Sequence, residues 1–341
     1  MINMVLSPRE SAECISGLAK HVTICHDGIE KATDLILECI QKETFSLSSW
    51  WKKNELIPQD PTLTSTLDWI FLLDTLNFSF WADKGKAYKV TFEGKTHTGY
   101  WSLCAAVKRA IKDGYNIISP DYYSTISFDT LAHIFRSDTG TEIPLLKERH
   151  KILIETGKCL IEKFNSTFST CVTMAKNSAQ NLLKIVYENF PSYRDEATID
   201  GHIVSFYKRA QILVADIWLC CEGKNWGAFE DIDSLTIFAD YRIPQALVYL
   251  GAMKYSEELQ IKLEKGELLE NGSRYEVEIR GCTIQVCELI YQLIKAKQKE
   301  GKVLQSLNIN LILIDNFLWE YRSHAKEMEH VPFHRTRCIY Y

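Results

Sequence analysis

Apolar residues recur at helical spacing over most of this chain, and that recurrence constrains its fold more than any other feature. Leu146, Leu153 and Leu160 repeat every heptad, flanked by Leu145, Ile152 and Cys159, which draws an apolar stripe from about Pro144 to Phe164. Ala210, Leu213, Val214, Ile217 and Cys221 follow the i, i+3, i+4, i+7, i+11 rule, and Ile279, Cys282, Val286, Ile290, Leu293 and Ile294 do the same. Further helices are predicted over 31–43, 65–75, 101–113, 128–136, 169–189, 244–253 and 308–326. One strand signal interrupts them: Tyr88, Val90 and Phe92 alternate with polar partners, and Glu93-Gly94-Lys95 turns the chain into Thr96–Tyr100, a hairpin. With 16 glycines and 8 prolines among 341 residues, breakers are scarcer than the roughly 12% of average composition. The expectation is a mainly α fold with a small β-hairpin or sheet element.

A hydrophobic share of 46% and a charged share of 24% exclude a disordered chain. The formal net charge of -5 argues against a protein that coats nucleic acid by charge. Apolar stretches such as Trp69–Leu73 and Ile309–Ile314, with Asn310 inside, are far too short for a membrane span. Arg9, Glu10 and Glu13 interrupt any signal-peptide core. The 11 cysteines are odd in number and scattered, with Cys220 and Cys221 adjacent, as in a reduced compartment. A soluble protein of the cytoplasm, or also of the nucleus, is expected, with no membrane partner; oligomeric state is left open. No internal repeat or flexible linker is visible. The reading is therefore a single unit, 1–341, with a soft boundary near 140 between a mixed N-terminal part and a helical remainder, and a polar loop near 191–202.

Several catalytic signatures are missing: there is no G-x-G-x-x-G, P-loop, G-x-S-x-G elbow, C-x-x-C or H-E-x-x-H. His330 and His334 are four apart, but Pro332 between them spoils a helical metal pair, so no metal site is expected. What remains is a set of polar and aromatic islands. Asp74 to Trp81 puts Asn77, Phe78 and Trp81 at the end of an apolar helix, suited to a flat pocket wall, although core packing explains half of it. Lys208 and Arg209 open a long helix where they could meet a phosphate or simply stay solvated. Phe238, Asp240, Tyr241 and Arg242 precede Pro244; a carboxylate there serves as a helix cap, while apolar neighbours would also suit a catalytic acid. Asp315 lies among Leu311 to Trp319 and needs a partner or ligand if buried.

Taken together, the strings DTLNFSFW, GYWSLCAAV, ERHKIL, NSAQ, FPSYRD, FYKRAQILVAD, FADYRIPQ, YEVEIRGC and PFHRTRCIYY resemble the queuosine salvage protein family, the queuosine 5′-phosphate N-glycosylases, over nearly the whole chain. More distantly, Tyr207 to Gln211 followed by Ala239, Asp240 and Arg242 looks like the helix-hairpin-helix DNA glycosylases, which implies a DNA-glycosylase-like helical architecture. The stretch 221–236 lacks an L-P-G-x-G hairpin, which suits a free nucleotide rather than DNA.

The resemblance implies hydrolysis of the N-glycosidic bond of queuosine 5′-monophosphate, releasing queuine for return to tRNA, with no metal or cofactor. Bond cleavage builds oxocarbenium-like charge on the ribose, and a carboxylate beside the anomeric carbon stabilises it and orients water; Asp240 is assigned this role. The leaving ring has carbon where a purine has N7, so it needs other hydrogen bonds, from Asn77 or the backbone beside Phe238, with Phe78, Trp81 and Phe238 as stacking walls and Tyr241 nearby. Asp315 or Asp231 would face the queuine amine. Lys208, with Arg242 or His334 as alternatives, would take the phosphate. An N-glycosidase for another nucleoside or nucleotide, and a carrier that binds queuine without chemistry, are the competing expectations.

Overall fold

The computed structural model describes residues 4–41, 55–58, 60–83, 85–302 and 308–341. Its chain divides into two compact units, each made of separated segments. The first takes the described residues of Met1–Leu47, Asp195–Lys208 and Asp233–Arg337; the second takes those of Ser48–Arg194, Arg209–Ile232 and Cys338–Tyr341. Position 140 falls inside the second unit, whereas the polar stretch near 191–202 contains a crossing between them.

In the first unit, the helix Pro8–Leu18 starts at a reciprocal cap: the Ser7 side chain accepts from the Glu10 N–H, the Glu10 carboxylate accepts from the Ser7 N–H, and Pro8 fills the first turn. It packs along the central helix Arg274–Lys299, and the two meet at Gly281, where a Cβ would stand 2.5 Å from Ile15 Cγ2. Gly281→Ala is therefore expected to cost about 2 kcal/mol by overpacking; an unchanged urea midpoint would contradict this close approach. The helices His26–Gln41, Ile243–Tyr249 and Leu311–His324 complete the shell around Ile29, Ile36, Ile237, Leu247, Ile279, Val286, Ile290 and Ile314. Two small antiparallel pairs edge this unit: Val22–Ile24 with Met253–Tyr255, and the hairpin Glu196–Ile199 with His202–Ser205. Gly28 lies so close to the 251–252 backbone that a Cβ would meet the Gly251 carbonyl oxygen at 2.0 Å, so only glycine fits.

In the second unit, the helix Thr64–Thr75 is buried on nearly every side, and Phe71 stacks on Phe168 at 4.4 Å between centroids. Lys89–Phe92 and Lys95–Thr98 form the expected hairpin, with left-handed Glu93 and Gly94 making its turn. The helices Tyr100–Lys112, Phe128–Ile134 and Leu146–Lys163 follow the sequence periodicity closely. The helix expected over 169–189 is in fact two, Phe168–Met174 and Ala179–Asn189. Lys176 and Asn177 turn left-handed between them, and Ser178 caps the second by accepting from the Asn181 N–H at 3.1 Å. The expected helix 244–253 likewise stops at Tyr249, because Gly251 turns left-handed and Met253 enters a strand. Residues 42 and 43 of the expected helix 31–43 lie outside the described residues. The fold is mainly α with small two-stranded β elements.

Candidate active site

A buried ion pair in the first unit sets the geometry around Asp240. Asp195 and Arg280 meet fork to fork, Nη1 to Oδ1 at 2.9 Å and Nη2 to Oδ2 at 2.6 Å, with both side chains at most 4% exposed. Arg280 also donates to Glu276 at 3.2 Å and lies 4.0 Å from the Phe206 ring centroid. Its Nε donates to the Ala239 carbonyl at 3.0 Å, which fixes the backbone immediately before Asp240. The other end of the pair holds Lys208, whose N–H donates to Asp195 Oδ2 at 3.1 Å.

Asp240 accepts from the Arg242 N–H at 2.7 Å and the Ile243 N–H at 3.0 Å, both through Oδ1. The helix-cap reading is thus correct for one oxygen. Oδ2 makes no hydrogen bond among the described residues, and the residue is only half-buried. Clamping one oxygen and leaving the other open holds a carboxylate ready to face a cation.

Asp315 is the second acid, 6% exposed, and accepts from the Phe238 N–H at 2.9 Å. Burial pushes its carboxyl well above the ordinary range, and the Asp240 charge adds to that; the Phe238 N–H and the Lys208 ammonium offset it in part. The shift favours the protonated form of Asp315. In that form it can donate a hydrogen bond, and only the ionised form would balance a ligand ammonium.

Other candidates are placed differently. The Phe238 N–H is committed to Asp315 and its ring is 4% exposed, so neither that donor nor a stacking face is open to a ligand. Tyr241 is buried, 5.5 Å from the Phe333 ring. Arg242 packs over both rings and donates to Gln245. His334 is fully buried; burial, with the Arg280 charge, lowers it from 6.5 to about 3, so it stays neutral and cannot serve as a cationic phosphate ligand. Because protonation of His334 favours the unfolded chain, its contribution to stability is full above about pH 6.5 and is lost as pH falls toward 3. His334→Gln, which cannot charge, should flatten the loss of stability between pH 6.5 and 4 in urea titrations; an unchanged slope would remove His334 from the acid response.

Asn77, Phe78, Trp81 and Asp231 lie in the second unit. Asn77 donates to Asp74 at 3.3 Å. Phe78 is fully buried, with the Arg149 guanidinium 4.2 Å and the Arg209 guanidinium 5.1 Å from its centroid, so those cations occupy the faces expected for a planar ligand. Trp81 is 4% exposed and offers no open stacking wall either. Arg149 and Arg209 carry no solvated charge: they donate to the carbonyls of Leu76 and Phe78, and of Asp74, Thr75 and Ser192, closing the end of the helix Thr64–Thr75. Asp231 accepts from Ser178 Oγ at 2.8 Å and the Ala179 N–H at 2.5 Å. Burial alone would raise Asp231, but these donors outweigh it and hold the group below its ordinary value. Its carboxylate caps the helix Ala179–Asn189 and is not spare for an amine.

Sequence reasoning gave no role to Asp195, Gln245, Arg280 or Arg322. For Arg280 a signal existed, since it falls four residues after Glu276 on the apolar stripe side of the helix Arg274–Lys299, both among buried residues. Among the described residues, no group of three or more His, Cys, Asp or Glu side chains could hold a metal ion, and no helix is long and apolar enough to cross a membrane.

A family model described as queuosine salvage protein matches residues 56–341. A Mus musculus protein named queuosine 5′-phosphate N-glycosylase/hydrolase is 50% identical over 338 residues, spanning 98% of this chain and 99% of its own length. Proteins of the same name from Nematostella vectensis and Sphaerobacter thermophilus are 43% identical over 349 residues and 36% over 323, covering 100% and 95% of this chain and 100% and 94% of their own. By the extent and level of that similarity, this chain belongs to the queuosine salvage protein family.

Proposed function

We propose that this chain is an N-glycosyl hydrolase that cleaves queuosine 5′-phosphate with water into queuine and ribose 5-phosphate. The name shared by its relatives supports the reaction, and the observation that carries the assignment to a residue is the half-clamped carboxylate of Asp240. As the glycosidic bond lengthens, its electron pair leaves with the deazapurine ring and positive charge grows on the ribose. The open oxygen of Asp240 stabilises that charge and then takes the proton of the attacking water. The departing ring gains a proton, and Asp315, a buried acid fixed by the Phe238 N–H, is the group assigned to supply it. The Lys208 charge partly offsets the burial of Asp315, and its ammonium offers the phosphate a charge-assisted donor. The net charge of -5 favours a free nucleotide over an intact tRNA.

The test pairs chromatography of released queuine with calorimetry of binding, using queuosine 5′-phosphate and guanosine 5′-monophosphate. Release from the queuosine nucleotide alone is expected. Tight binding with no release would make the chain a carrier, and release from both would make it a general nucleotide N-glycosidase.

A further inference from the structure

We propose that Tyr207 is a positioning residue for Lys208, holding the chain in a left-handed turn that aims the lysine at the acids of the site. This rests on the hydrolase reading above, in which Lys208 serves the substrate, and deepens it by naming the residue through which that lysine is set.

Tyr207 takes a left-handed backbone, with φ at 47°. A residue with a Cβ is disfavoured there and glycine is not, so such a residue persists only where its surroundings impose it. Here two consecutive residues grip three. The Asp195 carbonyl accepts from the Phe206 N–H at 2.9 Å and the Tyr207 N–H at 3.4 Å, and the Asp195 carboxylate accepts from the Lys208 N–H at 3.1 Å. The half-buried Glu196 accepts from the Tyr207 hydroxyl at 2.7 Å. Glu196 is itself fixed, because it opens the strand Glu196–Ile199 and pairs with Ser205 across the hairpin. Phe206, just before Tyr207, lies under the Arg280 guanidinium.

A turn from a strand into a helix does not require this arrangement. Glycine would make it without strain, yet the position holds a tyrosine whose ring is buried and whose hydroxyl reaches a carboxylate. What the bend fixes is the residue after it. With the backbone of Tyr207 pinned and the Lys208 N–H tied to Asp195, the direction in which the Lys208 side chain leaves the helix start is set. That side chain is buried, and its charge and that of Asp240 both reach Asp315. A strained residue held by neighbours on both sides, one position before a buried lysine that faces two acids, is placed to keep that lysine aimed before substrate arrives.

The experiment is a double-mutant cycle over wild type, Tyr207→Phe, Lys208→Ala and the double variant. Single-turnover release of queuine and calorimetric affinity for queuosine 5′-phosphate are read in each. Tyr207→Phe keeps the ring and removes only the hydroxyl, and its release rate should fall at least tenfold below wild type. In the Lys208→Ala background the same change should matter less than twofold, because the lysine it positions is gone. An equal loss in both backgrounds would make Tyr207 a structural residue that acts apart from Lys208, and a loss below twofold in the wild-type background would also overturn the proposal. Should the wild type release no queuine, the hydrolase reading fails by itself. In that case, or where release from Lys208→Ala is too slow to follow, the affinity cycle decides. A weakening by Tyr207→Phe that disappears in the Lys208→Ala background supports the proposal; an additive weakening, no weakening, or no binding by the wild type rejects it.

Discussion

Asp240→Asn is expected to lower the turnover of queuosine 5′-phosphate at least a hundredfold, a loss of about 2.7 kcal/mol of transition-state stabilisation, while leaving substrate binding and thermal stability nearly intact. The separation follows from the two oxygens. Asparagine retains an oxygen that can accept from the Arg242 and Ile243 N–H groups, so the start of the helix Ile243–Tyr249 stays capped. What it loses is the negative charge that faces the developing cation. Single-turnover release of queuine, read with calorimetric affinity, distinguishes the cases: near-normal turnover would move the role to another acid, and lost affinity with unchanged chemistry would make Asp240 a binding group only.

The second large effect is on stability. Arg280→Met removes the cation shared by Asp195 and Glu276, which are buried with it, and leaves two uncompensated acids in the core of the first unit. Breaking a buried pair from one side costs roughly 3–5 kcal/mol. A drop of that size in the urea-derived stability is the expected outcome, and a change below about 1 kcal/mol would show that the pair is already solvated. Turnover should also fall, since the Ala239 carbonyl that holds the backbone before Asp240 loses its donor. Replacing Asp195, Glu276 and Arg280 together with apolar residues should recover stability better than activity, because it restores burial but not the anchored carbonyl.

Periodicity was enough to locate the longer helices. The leucine heptads of Leu146–Lys163 and the apolar series of Arg274–Lys299 are visible because one face of each is continuously buried. The break at Lys176 and Asn177 was missed because apolar positions continue across it; the cue was local, an Asn able to turn left-handed before a capping Ser178. Ser7-Pro8 with Glu10 was an equally local cue for the first helix. The pairing of Val22–Ile24 with Met253–Tyr255 leaves too few residues for alternation and joins segments over two hundred residues apart. Interleaved units are similarly invisible to composition, since segments of both have ordinary globular sequence.

The site was legible in part. Asp240 stood out as an acid before Pro244, and Asp315 as an acid among apolar residues, and both lie in the first unit, where the charges of Asp240 and Lys208 reach Asp315. The expected stacking walls did not stand, because an aromatic next to a polar residue looks the same whether its faces meet a ligand or a guanidinium, as Phe78 shows. Buried arginines were the largest blind spot. The sequence places Lys208 at a phosphate and leaves Arg209 between phosphate and solvent, yet both are buried, the charge of one reaching Asp315 and the other on the carbonyls that end a helix. Nothing in a single sequence separates a guanidinium in water from one that answers several carbonyl oxygens.

The central claim is that this protein breaks the glycosidic bond of queuosine 5′-phosphate through Asp240. The most direct measurement follows free queuine and ribose 5-phosphate by chromatography after mixing purified wild type and Asp240→Asn with that nucleotide. Equimolar release of both products by the wild type, at least a hundredfold slower in the variant, is the predicted result. Equal rates in the two proteins, or binding by the wild type without either product, would contradict it.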